Sequence, residues 1–219
     1  AAMFFAVWSA FKGEGRGAGK VSADAVRRNL LVAFKDRHIM RVSGAGFLAF
    51  MAFAGVISFV SEHLEEGPLA MSPEEIGIAL SISGMVGIFF APLAGRLVDR
   101  RGPRCCAAVG FSLGALAAFA MQGADSYYAF IGLLVLSGMG GSFVWSSLLT
   151  MAVAVPARMK GTSSSVFNSL RFLGFALSPV VLTPLYLSWG FDQVMLTCAC
   201  LGLAGLVMAA VPRFQRLQG

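Results

Sequence analysis

Charge is what this sequence has least of. Only 13% of its 219 residues are Asp, Glu, Lys or Arg, against roughly a quarter in soluble globular domains, while 57% are hydrophobic and the mean hydropathy is +0.76. That balance excludes an ordinary soluble domain and indicates an integral membrane protein. Histidine is almost missing: the chain has 2, and His38 and His63 both fall outside the apolar runs and at opposite ends of one of them. An intramembrane hydrolase needs a nucleophile–base pair or a metal cluster at membrane depth, so the scarcity argues against that class. The 4 cysteines, Cys105, Cys106, Cys198 and Cys200, show no CxxC spacing and read as small packing residues instead of metal ligands or a disulfide framework. Nor is there a phosphate-binding loop. GxxxxGK[ST] would need glycine at position 14 and Ser or Thr at 21, where the chain has Glu14 and Val21.

What is present is a series of long apolar runs. Spans are expected at Val42 to Ser61, Ile76 to Val98, Cys105 to Gln122, Tyr127 to Val155, Thr162 to Leu187 and Gln193 to Val211, each near the ~20 residues that a bilayer requires. The fold class is therefore all-α integral membrane, a six-transmembrane-helix bundle over residues 42–212. Ala1 to Phe11 is apolar but too short to cross, lacks an initiator Met and signal-peptide flanks, and reads as the tail of a truncated transmembrane helix. Residues 12–41 form a polar linker. It is Gly-rich at first, then amphipathic from Asp24, with Val26, Leu30, Leu31 and Phe34 set against Arg27, Arg28, Lys35 and Arg37, a pattern suited to a membrane surface. Residues 213–219 form a short basic tail. Before the second span, Ser72-Pro73-x-Glu75 predicts an N-cap, a first-turn proline and a capping box. Pro92, Pro179 and Pro184 sit inside spans, where neighbouring helices must satisfy the carbonyls they free.

The net charge of +6 is distributed informatively. Sixteen of the 17 Lys and Arg residues fall in alternate connections: before the first span, at Arg96, Arg100, Arg101 and Arg104, at Arg158 and Lys160, and at Arg213 and Arg216. The intervening connections carry only acids, among them Glu62, Glu65, Glu66, Glu74 and Glu75 in one, Asp125 and Asp192 in the others. The basic side is expected to be cytoplasmic, in a cell (plasma or inner) membrane. The basic blocks lack the interleaved aromatics of a nucleic-acid surface, so anionic lipid headgroups are the expected counter-charge and no nucleic acid is expected.

Between the second and third spans stands Gly95-x-Leu97-x-Asp99-Arg100-x-Gly102-x-Arg104. It resembles motif A of the major facilitator superfamily of secondary transporters, with Val98 and Pro103 departing from the usual residues. In that family the motif joins helices two and three and recurs between helices eight and nine. The basic linker and apolar stub ahead of it match the second copy. The resemblance then implies the carboxyl-terminal six-helix half of a major facilitator fold, with the stub as the end of helix six and the linker as the cytoplasmic inter-half loop. Gly161-Thr162 through Asn168, Arg171, Gly174, Ser178 and Pro179 is similar to the eleventh helix of drug:proton antiporter-like members. The Gly174-x-x-x-Ser178-Pro179 step is not itself a sign of antiport, since any closely packed helix pair uses small residues in this way. The implied function is secondary transport of a small molecule by alternating access, as efflux or antiport, with no cofactor and a missing amino-terminal half as partner. The alternative is a non-transporting scaffold or sensor derived from a transporter half.

Within the motif, Gly95 is read as admitting a neighbouring helix backbone, Gly102 as permitting the reversal, and Asp99 as a latch. Its carboxylate would pair with Arg96, Arg100 and Arg104 or face a helix N-terminus. Arg171 lies about nine residues into a span, where a charge must be paired, snorkel or face water. It reads either as a cavity residue or as a snorkelling one. Asn168, Trp145, Phe47 and Phe50, with Phe53, are candidates to line a substrate cavity, although packing or lipid contact would equally use such a stripe. No Asp or Glu lies deep in a span, so a titrating group for a coupling proton is expected in the missing half.

Overall fold

Asp36 sets the first boundary. Its carboxylate accepts the N–H groups of His38 at 2.8 Å and Ile39 at 3.2 Å, ending α1 (Ala23–Lys35) and starting α2 (Arg37–Glu66). The computed structural model describes residues 23–210. The apolar stub, the Gly-rich part of the linker and the basic tail lie outside the described residues. α2 begins five residues before the expected span, because the Asp36 cap and not the onset of hydrophobicity fixes its end. α3 (Pro73–Arg101) opens with the Ser72–Glu75 capping box, Ser72 N–H donating to Glu75 Oε2 at 2.9 Å. α4 (Pro103–Ala120) is followed by a 3-10 turn. α5 (Tyr127–Val153) is capped by Ser126, and α6 (Lys160–Ala210) completes the described chain. Five stretches are long and apolar enough to cross a membrane. Helix continues through Pro92, Pro179 and Pro184.

α6 is broken at Gly190, whose φ of 82° and ψ of −175° are non-helical and open essentially to glycine alone. The chain doubles back there. A straight helix would hold Leu182 and Cys198 about 24 Å apart. Instead a Cβ at Gly55 of α2 would lie 2.5 Å from Leu182 Cδ1 and 2.8 Å from Cys198 Sγ. The arms 160–189 and 191–210 therefore pack against the same side of α2, with a one-residue connection where the apolar pattern suggested a longer loop.

Small residues bring the helices together, as expected where lipid removes any hydrophobic drive for helix association. Gly174 meets the Phe47 carbonyl, joining the first arm to α2, and Gly138 of α5 meets the Ser83 carbonyl of α3. Gly110 of α4 faces Gly140 of α5, where a Cβ on either would lie 2.8 Å from the other's carbonyl oxygen. Hydroxyls add bonds at the same crossings. Ser178 Oγ donates to Met51 O at 2.8 Å and Ser142 Oγ to Gly87 O at 2.6 Å. Of the cysteines, Cys106 and Cys198 are buried, Cys105 is intermediate and Cys200 is exposed; the last is not a packing residue within the described bundle.

The two ends of the bundle differ. His63, closing α2, stacks on Phe191 at 4.0 Å and lies 5.8 Å from Phe130, gathering the acid-flanked ends of α2, α5 and the second arm. At the opposite end α1 inserts Ala33 and Leu30 among Ile39, Val155, Met159 and Val166, while Leu31 and Phe34 point outward, 55% and 54% exposed. The predicted apolar face of α1 is thus divided between protein and surroundings.

If backbone contact at Gly174 sets the spacing of α2 and the first arm, Gly174→Val forces them apart, at a cost of about 1–3 kcal/mol. The thermal unfolding midpoint in detergent is expected to fall by several degrees. Gly132→Ala, where a Cβ would meet nothing within 4 Å, is expected to leave it unchanged.

Candidate functional site

α2, α3, α4 and α5 leave a cleft of about 470 Å³ between them, reaching Cys198 and Gly202 of the second arm. Much of its wall is glycine, including Gly84, Gly87, Gly114 and Gly141, interrupted by Ser83, Ser137 and Ser146. Helices packed this closely leave a slot only because their facing residues have little or no side chain. Phe50, Phe53 and Trp145 form the aromatic part of the lining, with the Phe50 and Trp145 rings edge to face at 5.9 Å. No Asp, Glu, Lys or Arg lines it.

Arg171 is not itself part of the lining but lies against two residues that are, Phe50 and Trp145, about 16 Å along the helix axis from Lys160 and so near mid-bilayer depth. Its guanidinium carbon sits 4.0 Å from the Trp145 ring centroid, 4.3 Å from Phe172 and 4.7 Å from Phe50. Three ring faces supply the electrostatic compensation that a carboxylate would otherwise give. Among the described residues Arg171 makes no ion pair and no hydrogen bond, and its Nε is enclosed without a partner.

Of the residues singled out from sequence, the structure brings Phe50, Trp145 and Arg171 together. Phe53 lines the cleft beside them. Asn168, one turn before Arg171, donates to Ser164 O at 2.9 Å, and is not part of the lining. Phe47 is not part of it either, because α2 turns that position towards the first arm, where its carbonyl meets Gly174. Sequence reasoning missed Phe172, the third ring, and the glycine walls. The run Gly138-Met139-Gly140-Gly141-Ser142 in mid-span was the available signal for the latter.

The motif turn is reduced to one residue between helices. Gly102, at φ 83° and ψ 161°, caps α3 through its N–H to Val98 O at 2.9 Å, and Pro103 starts α4 at once. Pro103, a departure from the motif, suits this first-turn position. Leu97 packs with Ala94, Cys106 and Phe143, tying the end of α3 to α4 and α5. The thiol of Cys106 donates to Phe143 O at 3.4 Å in that knot. Arg96, Asp99, Arg100 and Arg104 are all exposed, and among the described residues Asp99 has neither an ion pair nor a hydrogen bond. The arginine network considered from the sequence is not formed among the described residues. Arg96 and Arg100 share α3 with Asp99, and all three side chains are exposed there, while Arg104 lies on α4. Gly95 likewise has nothing within 4 Å of a Cβ position, so no described helix uses the close approach it allows.

Gly102→Ala places a side chain at positive φ, with strain of about 1–3 kcal/mol. Its yield of folded protein is expected to drop, whereas Gly95→Ala is expected to give wild-type yield and unfolding temperature. Fluorescence-detected size-exclusion chromatography of both variants checks this.

The family model described as Major Facilitator Superfamily matches residues 42–216. Among curated proteins, the MFS-type transporter Rv1250 of Mycobacterium tuberculosis is 29% identical over 140 residues, 59% of this chain and 24% of that protein. The riboflavin transporter RibZ of Clostridioides difficile is 29% identical over 154 residues, 67% of this chain and 33% of its own. The MFS-type transporter opdF of Penicillium oxalicum is 25% identical over 176 residues, 78% of this chain and 42% of its own. The chain spans less than half the length of each of these relatives.

Proposed function

Because the chain belongs to the Major Facilitator Superfamily, we propose that it is the carboxyl-terminal six-helix half of a secondary transporter that moves a small molecule by alternating access. The six crossings are α2 to α5 and the two arms of α6. The observation that carries the reading is the cleft with its aromatic wall, against which Arg171 lies, since substrates of such transporters bind near the bilayer midplane between the two halves. A scaffold has no use for a glycine-walled slot that forgoes packing.

The basic face is assigned to the cytoplasm, of a cell membrane, from the alternation of Lys and Arg. Residues 1–11 would then be the end of the preceding half's last helix and residues 12–41 the loop between halves, with α1 on the membrane surface. Asp99, exposed and unpaired among the described residues, suits a latch whose partner lies in the other half. Gly95, with open space before it, suits the same docking. The similarity of residues 161–179 to the eleventh helix of drug:proton antiporter-like members supports proton-coupled efflux. A titrating carboxylate for such coupling would belong to the other half, since the cleft lining holds none. RibZ, a riboflavin transporter by name, makes a flat heterocycle one substrate to try first.

Reconstitution of the whole transporter into oriented proteoliposomes tests this. Wild-type protein is expected to move substrate, in the efflux sense when a proton gradient is imposed. Asp99→Asn is expected to insert normally and slow flux by about tenfold, the equivalent of ~1.4 kcal/mol on the barrier. Wild-type flux in that variant removes the latch, and absence of flux in every preparation favours a scaffold or sensor.

A further inference from the structure

The rings around Arg171 shelter its charge without using its hydrogen-bond donors. A guanidinium carries five N–H groups in a planar fork. Trp145, Phe172 and Phe50 lie 4.0, 4.3 and 4.7 Å from its carbon and contact it through their faces, which leaves the in-plane donors unspent. Nε is enclosed, whereas the two terminal nitrogens are not enclosed and bond to no described residue. A pair of parallel donors at mid-depth therefore stands open. Phe50 and Trp145, which hold the guanidinium, are also walls of the cleft. Whatever enters meets aromatic side chains, a slot narrowed by glycine backbone and a few serine hydroxyls, and two of those aromatic walls carry the Arg171 fork against them.

We propose that this site selects an organic anion with a flat aromatic body, its carboxylate engaged by the terminal nitrogens of Arg171 and its rings against Phe50 and Trp145. The inference rests on the transport reading and adds a substrate class to it. A carboxylate matches the fork in a bidentate pair, among the stronger hydrogen-bonded arrangements. A cation is repelled by Arg171 and finds no carboxylate in the lining. A neutral amide offers the fork a single uncharged acceptor, a weaker match than the two charge-assisted bonds of a carboxylate.

The probes are 1-naphthoate, its neutral isostere 1-naphthamide and 1-naphthylmethylammonium, titrated calorimetrically into the purified whole transporter. Naphthoate is expected to bind about tenfold or more tightly than the amide, with the ammonium weakest. Arg171→Gln is expected to abolish the preference for the anion while leaving amide affinity within about twofold. Arg171→Lys, which keeps charge and ring contact but loses the fork, is expected to retain part of it. Equal binding of anion and amide by wild type overturns the proposal, and that comparison stands even if Arg171→Gln folds poorly. An Arg171→Gln variant that is less stable yet keeps the anion preference also overturns it, by showing that Arg171 instead pairs with a carboxylate from elsewhere in the protein. Flux of neutral or cationic substrates without any anion preference removes this proposal alone. No flux of any substrate removes the transport reading, while the naphthoate titration still reports on the site.

Discussion

Backbone-to-backbone contact through glycine governs this bundle. In lipid, burying Leu or Phe between helices brings little advantage over leaving them in the acyl chains, so association depends on close packing and shared polar groups. The Phe47 carbonyl against Gly174, the Ser83 carbonyl against Gly138 and the Gly110–Gly140 pair are where this chain achieves it. Each crossing has a functional consequence. Gly174 brings the first arm near enough to α2 for Arg171 to reach Phe50 at 4.7 Å, and Gly138 and Gly140 let α3, α4 and α5 converge around a slot instead of a filled core.

The distribution of exposed residues follows from the same constraint. Ile88 and Phe89 on α3 are 73% and 74% exposed, values that would be anomalous in water and are ordinary where acyl chains or further helices form the surroundings. Charged groups gather at the two ends, acidic at one and basic at the other, and between them Arg171 is the exception that requires its own shelter. Aromatic faces provide that shelter without an acid, so the site keeps a net positive charge. The one-residue Gly102 turn and Asp99 beside it, exposed and without a partner among the described residues, follow the same pattern: the fold fixes the position of the group and leaves its chemistry available.

Much of the architecture was legible because the relevant signals are local. Ser72, Pro73 and Glu75 specify a helix start among themselves, Gly102 specifies a reversal, and the sign of charge in each connection orders the spans. Arg171 stood out because a lone charge in an apolar run demands a partner. What could not be read is which partner answers it. Phe172 is adjacent in sequence, yet its ring joins the cage only through its rotamer, and Trp145 arrives from another helix. At Asp99 the local pattern suggested an arginine network that is not formed among the described residues. The doubling back of α6 at Gly190 was placed approximately by the lapse in hydrophobicity, but the abruptness of the turn depends on a backbone conformation that composition does not reveal.

The central claim is that the glycine-walled cleft is an access pathway opening to one membrane face at a time. A single cysteine at Ser137, in a background with the 4 native cysteines changed to alanine, tests it in sealed oriented vesicles with membrane-impermeant thiol reagents. The account predicts labelling whose sidedness shifts when substrate is added and shifts again in Asp99→Asn. Labelling that is absent from both faces, or unaffected by substrate, would contradict it.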